Sequence, residues 1–457
     1  MHLDHLWITD FRNYATAELS PAPSGLTVII GNNGEGKTNL LEAVGYLATL
    51  RSFRGSPPEA LIRIGAGQAI VRAEADQGAT AGAKASAAER QARTAQAEAS
   101  AAGQPARTAG AQASAADPPA GAQPPGAKAP GAKAPAARAP AGAQPPPAAP
   151  PAAPPPHRQR HWPPGAPAPA LEGRPARRLL IEAELHNGGR DRVQVNRQPL
   201  RRARDLLGAL PVTVFAPDDL ALIKAGPQGR REYLDDLLVG LHPRNDLLRS
   251  DLDRILKQRN ALLKQAAGNP RPSEDIITTL DVWDQKLAET GTALADARDA
   301  LVDRLRPTMA GVYDQLAERA AHVAVDYHRS WNGELCAALA AARTEDLRRG
   351  ITTLGPQRDD LVLTLGGMPS RTHASQGEQR SLALALRLAG HLLLADELGS
   401  PPVLLLDDVF SELDADRSRA LLESLPPGQA LVTTAGQLPP MAHPETVVRV
   451  EGGKILP

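Results

Sequence analysis

The sequence predicts an α/β fold in which a glycine turn near one end of the chain and an aspartate-tipped apolar strand near the other flank a helical hairpin. Three observations predict it. Residues 26–50 read as an apolar strand, a glycine turn and a helix; residues 401–414 read as an apolar strand ending in two aspartates; and residues 231–265 and 273–305 carry helical spacing. The chain has 457 residues and 42% hydrophobic content, enough for a sizeable core, and length alone suggests roughly two to three domains.

Composition is uneven. From Gln77 to Ala170 there is no Leu, Ile, Val, Met, Phe or Tyr, and 21 of the 43 prolines fall between Gln77 and Pro175. Alanine, proline, glycine and glutamine bury too little apolar area to offset chain entropy, so residues 77–175 are expected to be a disordered insert. The alternative is a helical unit in the Ala-rich part, 79–102, which has no Leu or Ile stripe to dock it. The insert carries 10 Lys and Arg against 4 Asp and Glu, leaving 41 basic and 47 acidic residues elsewhere. Bulk charge therefore gives no support for nucleic-acid binding by the folded part, and any such surface must be a local patch. The single cysteine, Cys336, excludes an internal disulfide framework and a Cys-based zinc site. The start MHLDHLWITDFRNY lacks a basic segment followed by an apolar core, and no run approaches membrane-spanning length, so a soluble cytoplasmic protein without a membrane partner is expected.

The first 76 residues hold the phosphate loop. Gly31, Asn32, Asn33, Gly34, Glu35, Gly36, Lys37, Thr38 and Asn39 satisfy G-x-x-x-x-G-K-[ST] between strand and helix. Glycines let backbone amides close around phosphate oxygens, and the helix N-terminus adds a favourable field. Lys37 is placed to reach the β and γ phosphates, and the Thr38 hydroxyl to ligate Mg²⁺. A site of this kind needs a metal-holding carboxylate at the end of a neighbouring buried strand. Val403 to Leu406 followed by Asp407 and Asp408 supply it, with Asp407 on the metal and Asp408 orienting or activating water. A second glycine turn, ASQGEQRS at 374–381, precedes Asp407 and opens a helix. It reads in two ways: as a capping box with Ser375 at the N-cap and Glu378 at N3, or as a second phosphate-binding turn serving the nucleotide of another subunit in a two-fold dimer. Between these ends, residues 231–265 form one limb of a hairpin, Gly268-Asn269-Pro270 breaks it, and 273–305 forms the other, with Ser273 as its cap. Each limb would span roughly 50 Å.

Phosphate loop, S-x-G-x-Q turn, carboxylate strand and SELD at 411–414 follow the order of ATP-binding-cassette ATPases, which the chain resembles. The long separation of Lys37 from Ser375 resembles the SMC-type branch, whose heads are built from both chain ends. DFRNY (10–14), RSFRG (51–55), APDDLALIKAGPQGRREYLD (216–235), LKQRNALLK (256–264), GPQRDDL (355–361), SQGEQRSLALALRLA (375–389), LLLDDVFSELD (404–414) and EGGKI (451–455) are similar to one family within it, RecF. That resemblance implies an ABC/SMC-like P-loop ATPase head at 1–76, 176–229 and 322–457, with a short arm at 230–321. It implies ATP and Mg²⁺ as ligands, an ATP-dependent homodimer, double-stranded or gapped DNA, RecR and RecO as partners, slow hydrolysis and a link to SOS induction. It places ATP contacts on the phosphate loop and on Arg12 and Asn13, trans contacts on Ser375, Gln376 and Gly377, metal on Thr38 and Asp407, and catalysis on Lys37 and Asp408. Two features depart from the wider superfamily: an aspartate, Asp408, where many members have glutamate, and Thr433-Thr434 where transporters carry a switch histidine. A transporter ATPase subunit and a structural SMC protein are the other readings; the wide separation and the short, hinge-less hairpin weigh against them. Arg51, Arg54, Arg201, Arg202, Arg204, Arg230 and Arg231 are the candidate DNA patch.

Overall fold

The computed structural model describes residues 1–76, 178–267, 273–317, 321–411, 413–436 and 438–456; the insert expected at 77–175 lies outside them. Strands β1 (His2–Phe11), β2 (Tyr14–Leu19), β4 (Gln68–Asp76), β5 (Arg178–His186), β6 (Arg192–Val195) and β7 (Gln198–Pro199) form an antiparallel sheet in the order β2-β1-β4-β5-β6-β7. The two strands expected at 70–75 and 177–185 are β4 and β5, and Asp76 faces Arg178 across their ladder. The chain therefore leaves and re-enters the sheet at one place, where a long connection costs only logarithmically with its length.

A second sheet, β15-β14-β3-β13-β12-β8, is the structural centre. Its members β3 (Gly25–Ile30), β8 (Val212–Phe215), β12 (Val403–Asp407), β13 (Gln429–Thr434) and β14 (Thr446–Glu451) run parallel, and β15 (Lys454–Leu456) turns back at the edge. Such a sheet must be apolar on both faces. Val403 and Leu405 pack with helix α1 (Lys37–Thr49) and the antiparallel sheet, whereas Leu404 and Leu406 pack into the core that holds the arm helices. A three-stranded sheet, β9 (Val323–His328), β10 (Asp360–Leu365) and β11 (Met368–Pro369), completes the fold.

The arm differs from the simple hairpin in two places. Its first limb is two helices, α2 (Pro227–Leu241) and α3 (Asn245–Ala266). Pro243 cannot donate into a helix and holds His242 extended, at φ −143° and ψ 103°, while Asn245 Nδ2 donates to Leu238 O at 2.9 Å and seals the end of α2. Its second limb, α4 (Glu274–Leu316), runs through Pro307 for 43 residues. Met309, Val312, Tyr313 and Leu316 beyond it are all buried, and that packing overrides the local cost of about 3 kcal/mol for an internal proline. Ser273 is the N-cap of α4, but its side chain makes no capping bond; the acidic first turn, Glu274 and Asp275, is what complements the helix dipole.

Helix α5 (Leu335–Arg349) closes the arm through buried charge. Arg259 of α3 is fully buried and donates to Asp284 of α4 at 2.6 Å and to Asp346 of α5 at 2.7 Å. Removing one partner of such a group leaves uncompensated charge in a low dielectric. Replacing Arg259 by Met is therefore expected to cost about 3–5 kcal/mol in urea unfolding; a loss under about 1 kcal/mol would mean the cluster is solvated.

Helix α6 (Gln376–Leu398) covers the other side of the central sheet. On it, His391 is buried, with Nδ1 3.0 Å from Thr213 Oγ1 of β8, and burial pushes its imidazole from 6.5 down to about 4. A base with a depressed folded pKa binds fewer protons when folded, so its stability contribution is full above the unfolded value and erodes as pH falls toward the folded one. Between pH 7 and 4 the protein is expected to lose on the order of 3 kcal/mol more than its His391→Gln variant. Parallel stability curves for the two proteins would refute this.

Candidate functional site

Residues 31–36 connect β3 to α1. Gly34 and Gly36 have φ of 86° and 113°, values that side chains rarely tolerate. A Cβ at Gly36 would also meet the Asn13 amide and the Tyr14 hydroxyl within 2.5–2.9 Å, so the turn is pressed against the β1–β2 connection. Asn13 Nδ2 donates to Glu35 O at 2.9 Å, Asn39 Nδ2 donates to Asn13 Oδ1 at 2.8 Å and Tyr14 OH donates to Gly36 O at 3.1 Å. From the far end of the chain, Gly453 N donates to Glu35 O at 3.1 Å, and Gly452 N to the Glu35 carboxylate. The N-cap of α1 is Gly36, which brings no capping side chain; amides of a helix's first turn have no intrahelical acceptor and are available to an anion.

Lys37 Nζ curls back to donate to Gly31 O and Asn32 O, each at 2.8 Å. Burial lowers its pKa, against the pull of Asp408, Asp407 and Glu35. Thr38 Oγ1 donates at 2.8 Å to Asp407 Oδ1, 369 residues later. Burial raises the Asp407 pKa, opposed by hydrogen bonds from Thr433 and Thr38. Asp408 follows with φ 47°, and its Oδ1 is buried without a hydrogen-bond partner. A hydroxyl and a carboxylate in contact, beside a second inward carboxylate, are hard oxygen donors of the kind Mg²⁺ takes together with phosphate oxygens and water; the residues fit the ion that the motif implies. A cleft of about 720 Å³ opens beside Asn13 and Gly453, lined also by Trp7, Thr16, Glu18 and Lys454.

Arg12 is brought to this region but faces α1. Its Nε and Nη2 donate to Glu42 at 2.7 Å, Nη2 to Ser56 Oγ at 2.6 Å and Nη1 to Ala60 O at 2.9 Å. Glu42 is fully buried, so Arg12 holds the base of the loop's helix. Sequence reasoning passed over Glu42, although an acid inside the apolar run LLEAV was a signal that a cation had to be near.

The second glycine turn forms its capping box: Glu378 N donates to Ser375 Oγ at 3.3 Å and Ser375 N to Glu378 Oε2 at 2.7 Å. A Cβ on Gly377 would meet the Arg417 guanidinium at 2.7–2.9 Å. Arg417 lies on helix α7 (Ala415–Ser424), whose N-cap Asp414 accepts Arg417 N at 2.8 Å and pairs with its guanidinium. The turn and the segment after the carboxylate pair are thus packed together.

The arginines suggested as a DNA patch divide. Arg51, Arg54, Arg201 and Arg202 are exposed, and Arg204 is half-buried with Nη1 3.4 Å from Ser250 Oγ. Arg230 is buried and holds Asp360 through Nε and Nη2 at 2.7 and 2.9 Å, and Arg231 Nη1 donates to Asp359 O at 2.7 Å. These two tie α2 to β10 and drop out of the patch.

A parallel sheet with a glycine loop at the end of one strand, a carboxylate pair two strands away and a signature-like turn on the covering helix define the ABC/SMC-like P-loop ATPase head. An AAA domain profile matches residues 5–88. The chain is 38% identical over 448 residues to the DNA replication and repair protein RecF of Streptomyces avermitilis, covering 95% of this chain and 93% of that one. RecF of Cutibacterium acnes is 34% identical, covering 100% and 98%. A solved structure of the recombination mediator protein RecF with ATP, from the RecFOR pathway, superposes with TM-score 0.72 at 23% identity, covering 100% and 97%. The chain belongs to the RecF family of DNA replication and repair proteins.

Proposed function

We propose that this chain is an ATP-driven, DNA-binding recombination mediator in which nucleotide works as a switch rather than as a reagent on DNA. The observation that carries the reading is the 2.8 Å hydrogen bond from Thr38 to Asp407, which unites a phosphate loop and a metal-type carboxylate from opposite ends of the sequence. In this reading the amides of Asn33, Gly34, Gly36, Lys37 and Thr38, with Asn39, hold the ATP phosphates, and the cleft beside Asn13 gives the nucleoside room. Lys37 leaves the carbonyls of Gly31 and Asn32 for the β and γ phosphates. Thr38 and Asp407 hold Mg²⁺, which when bound neutralises charge developing on the phosphate oxygens. Asp408 orients the attacking water through its unpartnered oxygen, and its short reach makes turnover slow. Ser375, Gln376 and Gly377 meet the γ phosphate held by a second copy, so ATP favours the dimer and hydrolysis releases it.

The DNA is double-stranded or gapped and lies on a local basic surface that includes Arg51, Arg54, Arg201 and Arg202. RecR and RecO act with the dimer in loading recombinase at gaps, in the cytoplasm, with DNA raising the slow ATPase and SOS induction following. Among the described residues no helix is long and apolar enough to cross a membrane.

Sedimentation with ATP and Mg²⁺, with and without gapped duplex, tests this. Wild type is expected to dimerise with ATP, more so with DNA. Lys37→Ala is expected to lose nucleotide binding, and Ser375→Arg to bind ATP as a monomer but neither dimerise nor turn over. A wild type that stays monomeric under all conditions, or equal loss of ATP binding in the two variants, would contradict the trans assignment.

A further inference from the structure

Strand β13 ends in two buried threonines that do different work. Thr434 closes the following turn, its Oγ1 accepting from Gly436 N at 3.1 Å. Thr433 is fully buried and stands opposite Asp407 in the parallel register of β12 and β13. Its Oγ1 donates to Asp407 Oδ1 at 2.7 Å and accepts from the Asp408 amide at 2.9 Å, while its carbonyl accepts the same amide at 3.2 Å. One hydroxyl therefore touches both halves of the carboxylate pair. The Asp408 amide can only donate, so the single hydroxyl proton goes to Asp407.

Each aspartate depends on this hydroxyl for a different reason. Asp407 Oδ1 takes two hydroxyl protons, from Thr38 and from Thr433. Thr38 belongs to the phosphate loop and would change role were a cation to take its oxygen, whereas Thr433 lies outside the loop and would keep its bond. Asp408 sits in the left-handed region at φ 47°, which a non-glycine residue adopts where local hydrogen bonds hold it. The shared amide bond to Thr433 holds it there with Oδ1 buried and unpartnered. Resting on the reading of this centre as an ATP and Mg²⁺ site, the geometry points to Thr433 as the positioning residue that aligns Asp407 for the cation and Asp408 for water. It touches neither ligand itself. Partners that orient a metal ligand in this way are worth about 10- to 100-fold in metal affinity or activity.

The test is ATP binding titrated in Mg²⁺ and in EDTA, with turnover and thermal melting measured alongside, for wild type, Thr433→Val, Thr433→Ala and Thr433→Ser. Thr433→Val keeps the shape and removes the hydroxyl. It is expected to match wild type in EDTA, to lose about 10- to 100-fold of the Mg²⁺-dependent tightening, and to lose turnover by a similar factor at saturating ATP. Thr433→Ser is expected to restore both, and Thr433→Ala replaces the Val variant if that one melts below the assay temperature. Wild-type Mg²⁺ dependence and turnover in Val or Ala, or a Ser variant as impaired as Val, would overturn the inference. A wild type that binds ATP without Mg²⁺ enhancement would overturn it too, whereas a wild type that binds no ATP overturns the reading of the site beneath it.

Discussion

A hydroxyl at position 38 and a carboxylate at position 407 must stand within hydrogen-bonding reach, and the larger architecture follows from that requirement. The loop strand β3 and the carboxylate strand β12 are not neighbours; β13 runs between them, parallel to both. All three strands point the same way, so the loop, Thr433 and the aspartates gather at their carboxyl ends, where open α/β sheets place ligands. One end of the chain supplies β3 and the other supplies β12 and β13. The intervening residues have to leave the sheet and return, and the arm occupies that excursion. Double-faced burial sets the sequence of β12: VLLL works because α1 and α6 lie on opposite sides.

Much of this was legible because the constraints are local. The backbone of residues 34 and 36 strongly favours glycine, and a four-residue apolar run before two aspartates has few other uses. Periodicity also found the long middle helices, but it could not rank their prolines. Pro243 ends a helix while Pro307 sits inside one, and the difference is tertiary: buried Met309, Val312, Tyr313 and Leu316 continue the stripe past Pro307, whereas Asn245 closes α2 ahead of a new direction. Thr433 was visible only as a residue standing where others carry histidine. Its meaning depends on β12 and β13 being adjacent in register, which no pattern within either strand encodes.

Charge was the least readable property. In sequence, GRREYLD looks like a basic face, yet Arg230 and Arg231 meet Asp360 and the Asp359 carbonyl of GPQRDDL. Arg298 of α4 adds a two-pronged pair with Asp235 at 2.8 Å and a bond to Pro356 O at 2.8 Å. Tyr327 OH donates to Asp359 Oδ2 at 2.5 Å. Stretches far apart in the chain are thus complementary halves of one buried junction between helices α2 and α4 and the β9–β10 sheet. Buried pairs of this kind add little net stability over apolar packing, but each is costly to break singly. Arginine next to an apolar stripe looks the same in one dimension whether it faces water or a carboxylate.

At the turn 374–381 the observed cap and the proposed phosphate contact do not compete for the same atoms. The capping box is formed, yet capping uses only an acceptor lone pair of Ser375 Oγ, which receives Glu378 N. The hydroxyl proton is left over for another acceptor. The first intrahelical bond of α6 runs from Gln379 N to Ser375 O at 2.9 Å, so the amides of Gln376 and Gly377 come before any intrahelical acceptor. Gly377 is needed within one chain, since a Cβ there would meet the Arg417 guanidinium that Asp414 holds in place. Cap and the proposed phosphate contact would therefore draw on different atoms of the same residues. In the proposed dimer the pre-formed cap would fix the donors in advance, so the turn would pay its ordering entropy at folding rather than at association.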